Sequence, residues 1–180
     1  MANTLEQLGV DALGTLKAVK AGLNGLRGVF LHLAEEHGEL AAQMKQLGKS
    51  RDPQLRRERY AKIRIQLLAH ERAEFAEVYS VLDAEDTLRW LALHQQQAAT
   101  LETALRALDA LNPDGDAWRL AFDRLFTLME QHADQEEREI FPRAQAAIGE
   151  DAAEALLTRY EAAKNLAARE LHEAASRALA

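Results

Sequence analysis

Two pairs of residues set a histidine four positions before a glutamate, His70 with Glu74 and His132 with Glu136. At ~100° per residue the members of each pair share one face of a helix. Neither face reads as solvated. Trp118, Phe122, Leu125, Met129, His132, Glu136 and Ile140 fall on one stripe, and Tyr60, Ile63, Leu67, His70, Glu74, Val78 and Val81 on another. A carboxylate on a core face is costly unless something positive meets it. Two more histidines join core stripes, His37 in line with Leu33, Leu40 and Met44, and His94 in line with Leu91, Ala98 and Leu101. One core histidine is ordinarily bonded to a neighbouring carboxylate. Four of them on four helices, two with a glutamate one turn on, point instead to metal held between the helices. The chain has no cysteine, so the ligands must be nitrogen and oxygen, a set that suits Fe, Mn or Zn.

Such ligands need helices to hold them, and the composition favours helix. The chain has 180 residues with 48% hydrophobic and 28% charged, only 3 Pro and 9 Gly, and much Ala, Leu, Glu, Arg and Gln. That predicts one all-α domain with a real core. The net charge is −7 with both signs interleaved, so no basic stripe is available to nucleic acid. No long apolar run precedes Lys17 and Lys20, so neither a signal peptide nor a membrane span is expected, and the cytoplasm is the expected compartment.

The first stripe runs from Leu5 through Leu16, Leu23, Phe30 and His37 to Leu47, and Gly48 ends it. As a single helix, residues 4–47 would be about 65 Å long, too long for the bundle, so part must overhang or bend. Gly22, Gly25 and Gly28 mark the weak point, either as a break or as a place where another helix, including one from a second subunit, comes close. Monomer and homodimer both remain open. Asp52-Pro53 opens a second helix to about Leu82, an acidic turn spans Asp83–Asp86, and a third helix carries His94. Asn112–Asp116 is the next loop, and the fourth helix bends near its end at Pro142. A fifth helix, about Glu150 to Arg177, covers the bundle with Ala153, Leu156, Leu157, Tyr160, Ala163, Leu166 and Ala167, and His172 near its end takes no role.

Ligands of one site must lie at one height in the bundle. His94 is about as far from the 83–86 turn as His70 and Glu74 are. On the first helix, height slightly favours His32, but His32 lies ~140° off the stripe that carries His37, so His37 is the expected ligand.

The pieces Glu36-His37-Gly-Glu-Leu, Leu68-Ala-His70-Glu-Arg-Ala-Glu74 with Val78-Tyr79, His94, and His132-Ala-Asp-Gln-Glu136-Glu with Ile140-Phe141-Pro142 resemble the hemerythrin-like, or HHE cation-binding, domains. Ferritin-like bundles place the carboxylate before the histidine and fit less well. The resemblance implies an up-down four-helix bundle holding a non-haem di-iron centre over roughly residues 26–145, with an N-terminal helical extension at 1–25 and the C-terminal helix at 150–178, all one domain over 1–180. It implies two iron ions, with Mn or Zn as alternatives, bridged by Glu74 and Glu136 and capped by His37, His70, His94 and His132. Two positions depart from the pattern. Ala98 stands where the oxygen carriers have a further histidine, and Ser80 where many members have a proline. Glu71, adjacent to His70, could supply a seventh ligand, but it lies ~100° off the stripe and is expected to be solvated.

The resulting expectation is a di-iron protein binding O₂, NO or peroxide in a pocket walled by Leu33, Leu67, Leu91, Leu101, Leu125 and Met129. The coordination positions left open by Ala98 favour a redox enzyme as the alternative, a ferroxidase or a peroxide- or NO-consuming one. Iron sensing or storage is a third reading.

Overall fold

An Ala- and Leu-rich chain with few helix breakers is expected to fold almost wholly into α-helix, and it does. The structure, a computed structural model, describes residues 2–81 and 85–178, and among these there is no strand. No described helix is long and apolar enough to cross a membrane.

α1 (Ala2–Leu23) ends in a reversal at residues 24–27, and α2 (Gly28–Lys49) runs back along it. The long first stripe is therefore a hairpin. Gly28 has φ 52°, where side chains other than glycine are strained, and a Cβ there would stand 2.4 Å from the Ala153 carbonyl. Both readings of the glycine cluster thus hold at once, but the helix that comes close belongs to the same chain. α1 and α2 also come close further along, where a Cβ on Gly38 would stand 2.8 Å from the Leu13 carbonyl oxygen and one on Gly14 2.6 Å from the Glu39 side chain.

α3 (Pro53–Ala73) starts at Asp52, whose carboxylate accepts from the N–H groups of Gln54 (2.9 Å) and Leu55 (3.2 Å). A cap of this kind contributes about 1 kcal/mol. The helical run expected to about Leu82 is present through Val81, the last residue described before 85, but it is not α-helix throughout. At Glu74–Val78 it widens into a π-helix, followed by a 3₁₀ turn at Tyr79–Val81. The acidic turn expected at 83–86 falls partly on residues 82–84, outside the described ones.

α4 (Glu85–Asp109) and α5 (Asp116–Gln135) follow, joined by a loop in which Asn112 accepts from the Asp114 N–H at 3.1 Å. α5 widens in the same way into a π-helix at Glu136–Ile140, before α6 (Phe141–Ile148). The distortion therefore begins at the glutamate, well before Pro142, which sits in the first turn of α6 where a missing N–H costs little. α7 (Glu150–Ala178) completes the chain.

The paired π-turns have a consequence for packing. In a continuous α-helix the fifth residue after each glutamate would lie ~140° away from it. The extra residue held by a π-turn brings both the fourth and the fifth residue inward. Val78 and Tyr79, and likewise Ile140 and Phe141, are all buried.

α2, α3, α4 and α5 pack neighbour to neighbour as the four-helix bundle, with α1 along α2 and α7 over α2 and α3. α7 buries Ala153, Leu156, Tyr160, Ala167 and Leu171, whereas Leu166, expected on that face, is exposed. At the far end of the bundle the buried Arg56 donates to the carbonyls of Ser50 and Pro113 and lies over Trp118, tying two loops together. The core is split in two. One apolar cluster contains Leu26, Phe30, Leu33, Val78, Phe141 and Leu156, and the other Leu47, Ile63, Leu67, Leu101, Leu125 and Met129. Histidines and glutamates fill the layer between them.

Candidate metal centre

Each helix of the bundle delivers its polar residues at this one height. α2 carries Glu36 and His37, α3 carries His70 and Glu71 with Glu74 opening its π-turn, α4 carries His94, and α5 carries His132 with Glu136 opening the second π-turn. All of these are buried, Glu74 and Glu136 completely. The six expected ligand residues lie in one layer.

Their reactive atoms face one another. His37 Nε2 is 3.2 Å from His70 Nε2 and 3.4 Å from Glu136 Oε2, and His70 Nε2 is 3.5 Å from Glu74 Oε2. His132 Nε2 is 3.3 Å from Glu136 Oε2 and 3.0 Å from Glu71 Oε1, and His94 Nε2 is 4.0 Å from Glu71 Oε2. Ligand atoms of Glu74, His94, His132 and Glu136 lie within 4.8 Å of one another. Two groups result, His37 with His70 and His94 with His132, and the carboxylates of Glu74 and Glu136 stand between them.

Glu71 departs from expectation. Only 8% exposed, it turns into the layer beside His94 and His132 instead of into solvent. An offset of ~100° on a helix still faces the interior when a second neighbour, here α4, covers that side. Its carboxylate comes to the side of the layer beside α4, where Ala98 offers no donor atom.

Outer atoms of the rings are tied down. His37 Nδ1–H donates to Glu137 Oε1 (3.1 Å), which also accepts from Lys17 of α1 (2.8 Å). His70 Nδ1–H donates to Glu36 Oε2 (2.9 Å), and the same oxygen accepts from Tyr160 of α7 (2.6 Å), while Lys164 and His32 approach Oε1. His132 Nδ1–H donates to Gln97 Oε1 (3.1 Å), and Gln97 donates in turn to Gln135. Tyr79 donates to Glu136 Oε1 (3.0 Å) and stacks on His94 with ring centroids 4.0 Å apart. Fixing Nδ1 as the protonated nitrogen leaves the Nε2 lone pair directed inward.

Glu36, Tyr79 and Glu137 stand inside the motif pieces without a role, Tyr160 is expected only as part of the apolar face of the C-terminal helix, and Lys17 and Gln97 belong to no motif. A legible signal did exist for Tyr79 and Phe141, since two consecutive large apolar residues at the fourth and fifth positions after each glutamate suit a π-turn. His32, which height alone favoured, is partly exposed and meets Glu36 at 2.9 Å, outside the inner layer. The expected pocket wall is divided. Leu33 and Leu91 belong to one apolar cluster and Leu67, Leu101, Leu125 and Met129 to the other, so they lie above and below the layer instead of lining one cavity.

The donor set fits a cation. Both oxygens of Glu71 and of Glu74, Glu136 Oε2, His94 Nε2 and His132 Nε2 are buried without a hydrogen-bond partner. Buried polar atoms are seldom left so, and these crowd together in one layer, with only the His132 Nε2 to Glu71 Oε1 approach of 3.0 Å short enough to pair two of them. In the absence of metal, protons must balance the charge. Burial pushes the Glu74 carboxyl well above the usual range, helped by the charges of Glu136 and Glu71. Burial alone would lower His132, but Glu136 and Glu71 raise it to about 9. Burial likewise opposes ionisation of Glu136, yet His132, His37 and His94 hold it well below the usual range.

A family model for the hemerythrin HHE cation-binding domain matches residues 29–144, most of the chain, from the start of α2 into α6. No curated protein and no solved structure matches the chain significantly. On the strength of that match and of the buried His/Glu layer within it, the chain belongs to the hemerythrin HHE cation-binding family.

Proposed function

We propose that the layer holds two iron ions and that the protein binds O₂ or a related small molecule, NO or peroxide, there. What carries the reading is the set of buried glutamate oxygens and histidine nitrogens that crowd together with no hydrogen-bond partners. His37 and His70 would hold one ion, His94, His132 and Glu71 the other, with Glu74 and Glu136 shared. Such a centre supplies reversible electron transfer to and from small oxygen- and nitrogen-containing molecules.

The chain's own residues contribute orientation, dryness and proton control. Glu137, Glu36 and Gln97 hold three of the rings with Nε2 inward. The two apolar clusters shield the layer from water on both sides along the bundle axis, which strengthens electrostatic interactions inside it. Tyr79, hydrogen-bonded to Glu136, places a phenol proton at the edge of the layer. A redox enzyme is the second reading, and one observation favours it: clefts on both sides of α4 reach the layer, one at Glu71 and His94 and the other at His132.

Metal analysis of protein purified without added metal, with visible spectra before and after reduction and exposure to air, tests the proposal. Two irons per chain and a spectrum that changes reversibly with oxygen are expected. Iron-free protein of undiminished stability, or bound iron indifferent to reduction and air, would overturn it. A long-lived oxygenated spectrum favours the carrier, and rapid decay to the oxidised form favours the enzyme.

A further inference from the structure

We propose that a second copy of this chain pairs, antiparallel, with the outward face of α1. Where α1 meets α2 its residues are small: Gly14 and Ala21 are buried, and a Cβ on Gly14 would stand 2.6 Å from the Glu39 side chain. Its large apolar residues lie on the other side. Leu13, Leu16, Val19 and Leu23 are 41%, 63%, 53% and 84% exposed, four of the seven large apolar residues exposed among those described. Single apolar residues scattered over a surface need no explanation, but a row of them on one helix marks a face that something covers.

The row is ordered. Leu16, Val19 and Leu23 lie within ~60° of one another, and in the sequence Leu5, Leu8 and Ala12 repeat them eleven residues earlier. Eleven residues make about three turns, so such a repeat stays on one side of a nearly straight helix, as packing along another helix requires. The two sets also mirror each other about Gly14. An antiparallel two-fold there brings Leu5 level with Leu23 and Ala12 level with Leu16, a small residue opposite a large one. The stripe can therefore pair with itself, which is what a two-fold interface demands.

Charge selects the direction and the partner. Parallel copies would set Lys20 against Lys20. In the antiparallel register Lys20 of one copy falls ~3 Å along the axis from Glu6 of the other, and both positions lie on the same flank of the stripe. Opposite charges beside an apolar seam fix orientation and register. A lipid surface suits this face less well, because α1 carries as many acidic as basic residues and the whole chain has a net charge of −7. A strip of α1 ~33 Å long and ~10 Å wide is well under the ~800 Å² per partner of a standard stable interface, so the dimer dissociates on dilution.

Light scattering on the protein as purified, over a concentration series, tests this. A mass that rises reversibly from one chain towards two is expected below about 1 mM. Leu16→Glu, at an exposed position, should weaken association at least about tenfold with helix content and metal content unchanged. Leu120→Glu, which alters a comparably exposed leucine on α5, should leave association unaltered. Lys20→Glu should weaken it, and adding Glu6→Lys should restore it, since the double variant again sets opposite charges in register. A mass of one chain throughout, association untouched by Leu16→Glu, loss in Leu120→Glu, or no rescue in the double variant would each overturn the proposal. So would binding to phosphatidylglycerol vesicles that Leu16→Glu abolishes in a chain that stays single.

Discussion

The two halves of the polar layer are held by different chemistry. Around His37 and His70 the outer contacts are charged: Glu137 with Lys17 from α1, and Glu36 with Tyr160 and Lys164 from α7. Both of those cations and the phenol come from helices outside the span matched by the family model. Around His132 the outer contact is a neutral chain of amides, Gln97 to Gln135, and clefts reach this half on either side of α4. A buried charged hydrogen bond constrains a ring more strongly than an amide does. The added helices thus close and stiffen one half, and the half beside α4 is left approachable.

The largest effect is expected where the halves meet. Glu136 touches His37, His94, His132 and Tyr79, so Glu136→Ala should remove both metal ions. It should also cost about 3–5 kcal/mol, as breaking a buried pair does, because several polar groups lose their partner together. Metal analysis with thermal unfolding checks this. Full metal content in the variant would take Glu136 out of the ligand set.

Next in size are the outer residues. Tyr160→Phe and Glu36→Gln should lower metal affinity about 10–100-fold, the usual range for such partners of a ligating histidine. Gln97→Leu should lower it less. Competition with a chromophoric chelator measures all three, and equal losses would show that the charged contacts give the closed half no extra rigidity.

His37→Ala should also abolish binding of one ion, whereas His32→Ala, acting only through Glu36, should change affinity a fewfold at most. A larger loss in His32→Ala would restore it as a ligand.

The pH dependence should separate metal-free from metal-loaded protein. His132, which burial lowers but Glu136 and Glu71 raise to about 9, stabilises the metal-free fold fully below about 6.5. That contribution is lost as pH rises through about 9. Glu74, raised by burial and by Glu136 and Glu71, shifts stability in the same direction. The metal-free melting temperature should therefore fall between pH 6.5 and 9. Metal displaces these protons, so affinity should rise over the same interval. Proton release on metal addition, followed with an indicator dye in weak buffer, should accompany it. A metal-free melting temperature that climbs with pH would contradict the protonated His132.

Much of this was legible from the chain by itself, because helical periodicity is a local property. The core stripes, the Asp52 cap, the break among Gly22, Gly25 and Gly28, and the four histidines and two glutamates on core faces all follow from spacing along the sequence, His37 by its stripe against a height that slightly favoured His32. The π-turns were legible only in part: the paired apolar residues after each glutamate stand in the sequence, but their effect depends on Tyr79 and Phe141 finding partners on other helices. Glu71 is the clearest case. Spacing placed it at the margin of a face, and only the arrival of α4 on that side decided that its carboxylate turns inward. Lys17 and Tyr160 show the same limit at longer range, with 120 residues separating Lys17 from Glu137 and 124 separating Tyr160 from Glu36. Periodicity determines which side of a helix is buried, but the partner that meets a buried side chain is set by how the helices are packed.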